Sequence, residues 1–171
     1  MSSKAKAPES NTEFKLGQEI VYPSQGVGKI DKIEEKDFKN KKILYYTIYL
    51  EVSDMTVLVP VEKAKELGIR AIVPKKEAER ALALISEKYE PIPSDWKLRY
   101  QMNLDLLKKG SVLDIATIVR SLYHRSKVKE LPILERKLYD SALKLLEDEV
   151  SFSLNKTKEE VEEIIFAHLE K

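Results

Sequence analysis

Val27-Gly28-Lys29-Ile30-Asp31-Lys32-Ile33-Glu34 alternates apolar and polar residues, the pattern of a strand with one face buried and one in water. Working outward, Ile20-Val21-Tyr22 reads as a shorter strand, stopped by Pro23-Ser24-Gln25-Gly26. Downstream, Phe38-Lys39-Asn40-Lys41-Lys42 is a polar turn. Ile43 to Leu50 is then rich in β-branched and aromatic side chains, Ser53-Asp54 turns again, and Thr56-Val57-Leu58-Val59 closes the set before Pro60. Four or five short antiparallel strands in fewer than fifty residues predict a small barrel of the SH3 or Tudor kind.

Past Pro60 the period changes from strand-like to helical. Val61 to Leu67 is a helical turn or two, with Gly68 as its C-cap. Ala78, Ala81, Leu82 and Ile85 share one face of a helix over Lys75 to Lys88, which Glu90-Pro91-Ile92-Pro93 must break. Ser94 is read as the N-cap of a helix that carries Trp96 and runs to Lys109, with Gly110 at its end. Ser111 caps the next, with Ile115, Ile118, Val119 and Leu122 on one face. Leu131-Pro132 opens another, with Leu134, Leu138, Ala142, Leu145 and Leu146 as its stripe. Thr157 and Glu160 form a capping box for a last helix, Lys158 to His168. The expected fold class is therefore α+β. Residues 1–13 are expected as a disordered tail, 14–72 as the barrel and 73–171 as an all-α helical bundle, its last helix after 154 without an assigned role.

The chain has 171 residues with 30 Lys and Arg against 29 Asp and Glu, so net charge alone suggests no polyanion partner. Distribution says more. Residues 96–129 carry 8 cations (Lys97, Arg99, Lys108, Lys109, Arg120, Arg125, Lys127 and Lys129) against Asp105 and Asp114, a local excess of +6. Residues 147–171 hold 3 against 8 and are acidic. No apolar run approaches the ~20 residues a membrane helix needs. The absence of cysteine excludes disulfides, thiolate metal sites and thiol catalysis, and fits a reducing cytoplasm. His124 and His168 lie on different helices without ligand spacing. Gly26-Val27-Gly28 leads into a strand rather than a helix and is read as a turn, not a phosphate loop. No catalytic residue, metal ligand or cofactor site is assigned, and the expectation is a protein that is not an enzyme.

Trp96 is the only tryptophan and opens the basic segment. From the residues alone two uses stay open. It can pack a core, the usual fate of a tryptophan, or it can press against a base step while neighbouring cations hold phosphates. The barrel likewise leaves two readings, an edge strand open to a partner strand or one covered by the chain itself.

Phe14-Lys15-Leu16-Gly17-Gln18-Glu19-Ile20-Val21-Tyr22-Pro23-Ser24-Gln25-Gly26-Val27-Gly28 resembles the opening motif of the CarD/CdnL family of bacterial transcription regulators, and Thr56-Val57-Leu58-Val59-Pro60 resembles the end of their barrel. Trp96-Lys97-Leu98-Arg99-Tyr100-Gln101-Met102-Asn103-Leu104 and Ile118-Val119-Arg120-Ser121-Leu122-Tyr123-His124-Arg125 resemble the two signatures of their helical domain. The likeness runs from about Phe14 to Leu154. It implies a cytoplasmic, monomeric regulator whose Tudor-like domain binds the β subunit of RNA polymerase by strand addition and charged contacts, here assigned to Lys36, Tyr46, Ile48 and Leu58. The helical domain is then implied to reach promoter DNA at the upstream edge of the bubble. Trp96 is the expected wedge in the minor groove, and Lys97, Arg99, Arg120 and Arg125 are the expected cations. Three departures bear on affinity: Leu98 and Gln101 stand where many members have basic residues, and Leu58 where some have arginine. The alternative is an interaction scaffold with no direct DNA contact and Trp96 in its core. An RNA-binding reading lacks an aromatic stacking platform on the strands.

Overall fold

Lys39 and Asn40 both take left-handed backbone, φ 49° and 65°, and so make the two-residue turn whose twist suits a β-hairpin. On either side run β2 (Gly26–Phe38) and β3 (Lys41–Leu50), paired from Phe38–Lys41 at the turn to Gly28–Leu50 at the far end. The structure, a computed structural model, describes residues 12–88 and 91–171. All but the last two residues of the expected tail over 1–13 lie outside it.

β1 (Glu19–Tyr22) pairs with the start of β2, β4 (Met55–Pro60) pairs with β3, and β5 (Arg70–Ala71) pairs with β1. All pairings are antiparallel and the order across the sheet is β4-β3-β2-β1-β5. The edges β4 and β5 share no ladder among the described residues, so the ladder itself does not close the expected barrel. The register shifts between Ile30 and Lys32. This bulge lets Ile30 and Ile33, three residues apart, both pack on the core, which strict alternation forbids. Phe14, Ile20, Ile30, Tyr46, Ile48, Leu50 and Val59 form that core, with Ala64 and Ile69 from the segment after β4. There the expected helix over Val61 to Leu67 shrinks to one 3-10 turn, Val61–Lys63, followed by turns to a left-handed Gly68. Of the glycines near Val27, Gly26 has φ 97° and completes the turn after β1, while Gly28 lies in the strand. A Cβ on Gly28 would stand 2.8 Å from Ile48 Cγ2 and 3.1 Å from the Tyr49 carbonyl, so β3 can pass only over glycine.

The chain divides into two units, Met1–Ala71 and Ile72–Lys171. The second contains α1 (Lys75–Ser86), α2 (Trp96–Lys109), α3 (Val112–Val128), α4 (Ile133–Leu154) and α5 (Lys158–Leu169). α3 is the central element and packs against α1, α2 and α4. Its Ile115, Ile118, Val119 and Leu122 are buried, as the helical spacing predicts. Gly110 ends α2 with φ 73°, Ser111 caps α3, and Thr157 with Glu160 forms the expected capping box on α5. On α4 the stripe is Leu138, Tyr139, Ala142, Leu146 and Val150; Leu134, expected within it, is 46% exposed. The entry to α1 is tied to α4 by polar contacts: the Val73 N–H donates to Glu149 Oε2 at 3.1 Å and Ser153 Oγ donates to the Val73 carbonyl at 2.7 Å. Among the described residues no helix is long and apolar enough to cross a membrane.

Candidate functional site

Two surfaces carry the residues singled out by sequence. The first is the outer face and free edge of the sheet. Lys36 stands opposite Ile43 on β3, and Thr47 stands opposite Leu58 on β4. Directly opposed residues share a face, and positions 43, 45 and 47 alternate onto the same side. Lys36, Phe38, Ile43, Tyr45 and Leu58 therefore lie together on the side away from the core. Phe38 is 53% and Leu58 48% exposed. β4 is an edge strand, so alternate backbone N–H and C=O groups along it face outward with no neighbouring strand among the described residues. The expected contacts through Tyr46 and Ile48 need correction. Both side chains are fully buried on the opposite face, and the Tyr46 hydroxyl accepts from the Phe14 N–H at 3.3 Å. β3 is also interior to the sheet, so its backbone is already paired on both sides.

The second surface is the start of α2. The cap is Asp95 rather than Ser94: the Asp95 carboxylate accepts from the Lys97 N–H at 3.0 Å. Asp95 does this better because its charge also opposes the positive end of the helix dipole. Trp96 is the first residue of the helix and is 37% exposed. Its ring leans on Tyr100 one turn later, centroids 6.5 Å apart and tilted by 55°. Lys97 and Leu98 beside it are exposed. A rigid indole, partly in water, with a free cation next to it at a helix N-terminus is suited to an anionic partner with an apolar face.

Arg99 is not part of that exposed set. It is 3% exposed, its Nε donates to Glu135 Oε1 at 2.6 Å and its Nη2 donates to Glu135 Oε2 at 2.7 Å. Nη1 donates to the carbonyls of Pro93 at 2.9 Å and Ser94 at 3.3 Å. Four of the five guanidinium N–H groups are thus engaged, and the expected phosphate contact by Arg99 gives way to an internal one. The spacing of Trp96 and Arg99 puts both on neighbouring faces of α2, but nothing in a single sequence says that α4 supplies a carboxylate there. Glu135, buried completely, is the residue that sequence reasoning missed. Its only visible signal is a glutamate in the first turn of a helix opened by Pro132, where an acid is expected for the dipole alone.

Arg120 and Arg125 are half-buried on α3. Arg120 Nη1 donates to the Leu84 carbonyl in the last turn of α1 at 3.2 Å, and its Nε is buried without a hydrogen-bond partner among the described residues. It lines an open cavity of about 550 Å³ together with Leu84, Pro93, Met102, Leu106 and Lys109. Lys127 lies over the Tyr123 ring, 5.0 Å from its centroid, and remains exposed. His124 is half-buried with its ring edge-on to Tyr123, and burial followed by the Arg120 charge lowers its pKa. His168 is also lowered, by burial first and then Lys171, and its Nδ1 shares a hydrogen with Ser86 Oγ at 2.6 Å.

An α+β chain in this order, sheet first and helices after, is matched by two domain descriptions. Residues 14–73 match the CarD-like/TRCF RID domain and residues 80–166 match the CarD C-terminal domain. These define a transcription regulator rather than a member of an enzyme class. Among proteins similar to the chain is one from Bacillus subtilis (strain 168) named "Putative transcription factor YdeB", 32% identical over 148 residues, which covers 86% of this chain and 97% of that protein. The chain belongs to the CarD-like family of transcription factors.

Proposed function

We propose that this regulator binds the β subunit of RNA polymerase through β4 and the outer face of the sheet, and stabilises the open promoter complex by wedging Trp96 at the upstream edge of the bubble. The observation that carries the reading is the placement of Trp96, partly exposed at the first position of α2 with Lys97 beside it. An enclosed indole would have favoured a scaffold. The binding surface on the sheet rests on Lys36 and Leu58, both exposed on one face, and on the unpaired edge of β4.

The energetics are consistent with a small basic patch. Inserting a side chain into closed duplex costs a few kcal/mol of unstacking, which a melted edge has already lost. A wedge that favours the melted form shifts the equilibrium by its differential affinity and no more. About 1.4 kcal/mol changes the ratio ~10-fold. The exposed lysines of this segment (Lys97, Lys108, Lys109, Lys127 and Lys129) are few for free DNA binding, and tethering to polymerase raises the local concentration so that few are needed. A protein working on polymerase and promoter acts in the cytoplasm, as a monomer on each polymerase. The test is open-complex lifetime with the Trp96→Ala chain at saturating polymerase binding. A shortened lifetime supports the wedge, and an unchanged one removes it.

A further inference from the structure

Arg99 and Glu135 form an almost fully enclosed ion pair in the helical unit, 3% and 0% exposed. We infer that they are positioning residues, which fix the entry to α2 so that Trp96 is presented in one orientation. The inference rests on the proposed use of Trp96 as a DNA wedge, and the experiment below separates the two.

One guanidinium joins three pieces of chain. Two donors grip the Glu135 carboxylate in the first turn of α4, at 2.6 and 2.7 Å. Another nitrogen reaches back past Trp96 to the carbonyls of Pro93 and Ser94, at 2.9 and 3.3 Å. Those carbonyls belong to the loop directly before the cap Asp95 and the indole. Nothing else polar among the hydrogen bonds described holds them. Without the grip, the loop keeps its freedom and Trp96, at the fraying end of the helix, shares it. With the grip, the helix start is tied both to its own approach and to a neighbouring helix.

The chemistry of the pair points the same way. A buried ion pair is a poor stabiliser: apolar residues of similar volume often do as well or better, because both charges lose water. Two helices needing only to adhere here could use leucine and methionine. An apolar pair cannot hold two carbonyls. The planar fork of arginine can bind a carboxylate with two donors and still offer others, which a lysine cannot. Arg99 thus does a task that depends on shape as well as charge.

The test uses the full chain and the fact that Trp96 is the only tryptophan, so its fluorescence reports this site alone. The double substitution Arg99→Met with Glu135→Leu removes both charges together and is expected to leave the thermal midpoint near that of the native protein. It releases the Pro93 and Ser94 carbonyls, so steady-state anisotropy of the indole falls in the free protein. On polymerase the open-complex lifetime shortens by up to ~10-fold, towards that of Trp96→Ala, while polymerase binding is unchanged. Arg99→Lys, which keeps the charge and loses the fork, is expected to give the same two changes in smaller degree, and it serves if the double variant does not fold. A folded variant with native anisotropy overturns the positioning role, and so does a lowered anisotropy with native lifetime when Trp96→Ala itself shortens it. If Trp96→Ala leaves the lifetime unchanged while anisotropy falls in the variants, the positioning role stands and the wedge fails.

Discussion

Leu58 and Tyr46 lie on adjoining strands and face opposite sides of the sheet: Leu58, opposite Thr47, is 48% exposed, while Tyr46, opposite Val59, is fully enclosed. One residue of register separates a surface from a core. Leu58→Asp in the full chain is therefore expected to lower affinity for the polymerase β subunit by ~10-fold or more, with less than about 1 kcal/mol change in stability. Tyr46→Ala is expected to destabilise the sheet unit by about 3–5 kcal/mol, as for other enclosed aromatics. Pull-down and urea denaturation on each variant distinguish the two effects.

Trp96 is neither enclosed nor free. Trp96→Ala should cost about 1–2 kcal/mol, less than a core aromatic, because part of the ring stays in water. The native fluorescence should be readily quenched by iodide, which an enclosed indole resists. Cooperative unfolding with a loss above about 3 kcal/mol would return Trp96 to the core.

Gly28 allows β3 to pass at a distance that no side chain permits. Gly28→Ala sets a methyl 2.8 Å from Ile48 and 3.0 Å from Leu50. The expected cost is about 1–3 kcal/mol, the range for overpacking. Circular dichroism melts should show it, with Gly17→Ala as a different case: no atom stands within 4 Å there, and the strain comes from φ 81° alone.

Glu147 makes stability depend on pH. Burial first, then Glu162 and Asp148, push its carboxyl from 4.5 up to about 7, against the opposing pull of Lys158 and Lys144. The folded state thus holds a proton that the unfolded state has released between those values. Its contribution is complete below 4.5 and is lost as pH rises through about 7. Glu147→Gln should therefore be more stable than the native protein at pH 8 and little different at pH 4. Urea midpoints at the two values check the sign; a variant less stable at pH 8 would refute it.

The elements were legible where local chemistry decides them. Alternation located β2, helical spacing located α1 and α3, and the capping box located α5. Errors arose where tertiary partners decide. Tyr46 and Ile48 were given to a partner because a β-branched and aromatic run does not state which of its faces is inward. The family resemblance implies a DNA contact for Arg99, and its actual partner, Glu135, 36 residues on, leaves no sign in a single sequence. The bulge at Ile30 is of the same kind: a break in alternation reads as imperfection until the partner strand shows the extra residue. Trp96 itself was undecided by its neighbours, since a capped helix start suits either a buried or an exposed indole.

α2 has only Arg99 and Asn103 fully buried, with Tyr100, Leu104 and Leu107 packed part-way. Leu98 and Gln101 are exposed, and Gln101 Nε2 donates to Asp105 one turn away. Changing these positions leaves the bundle interior untouched. If α2 meets DNA as proposed, its grip can thus drift in evolution almost independently of foldability, one surface side chain at a time. A lineage could weaken or strengthen its regulator to suit the melting habits of its own promoters without ever passing through an unfolded ancestor.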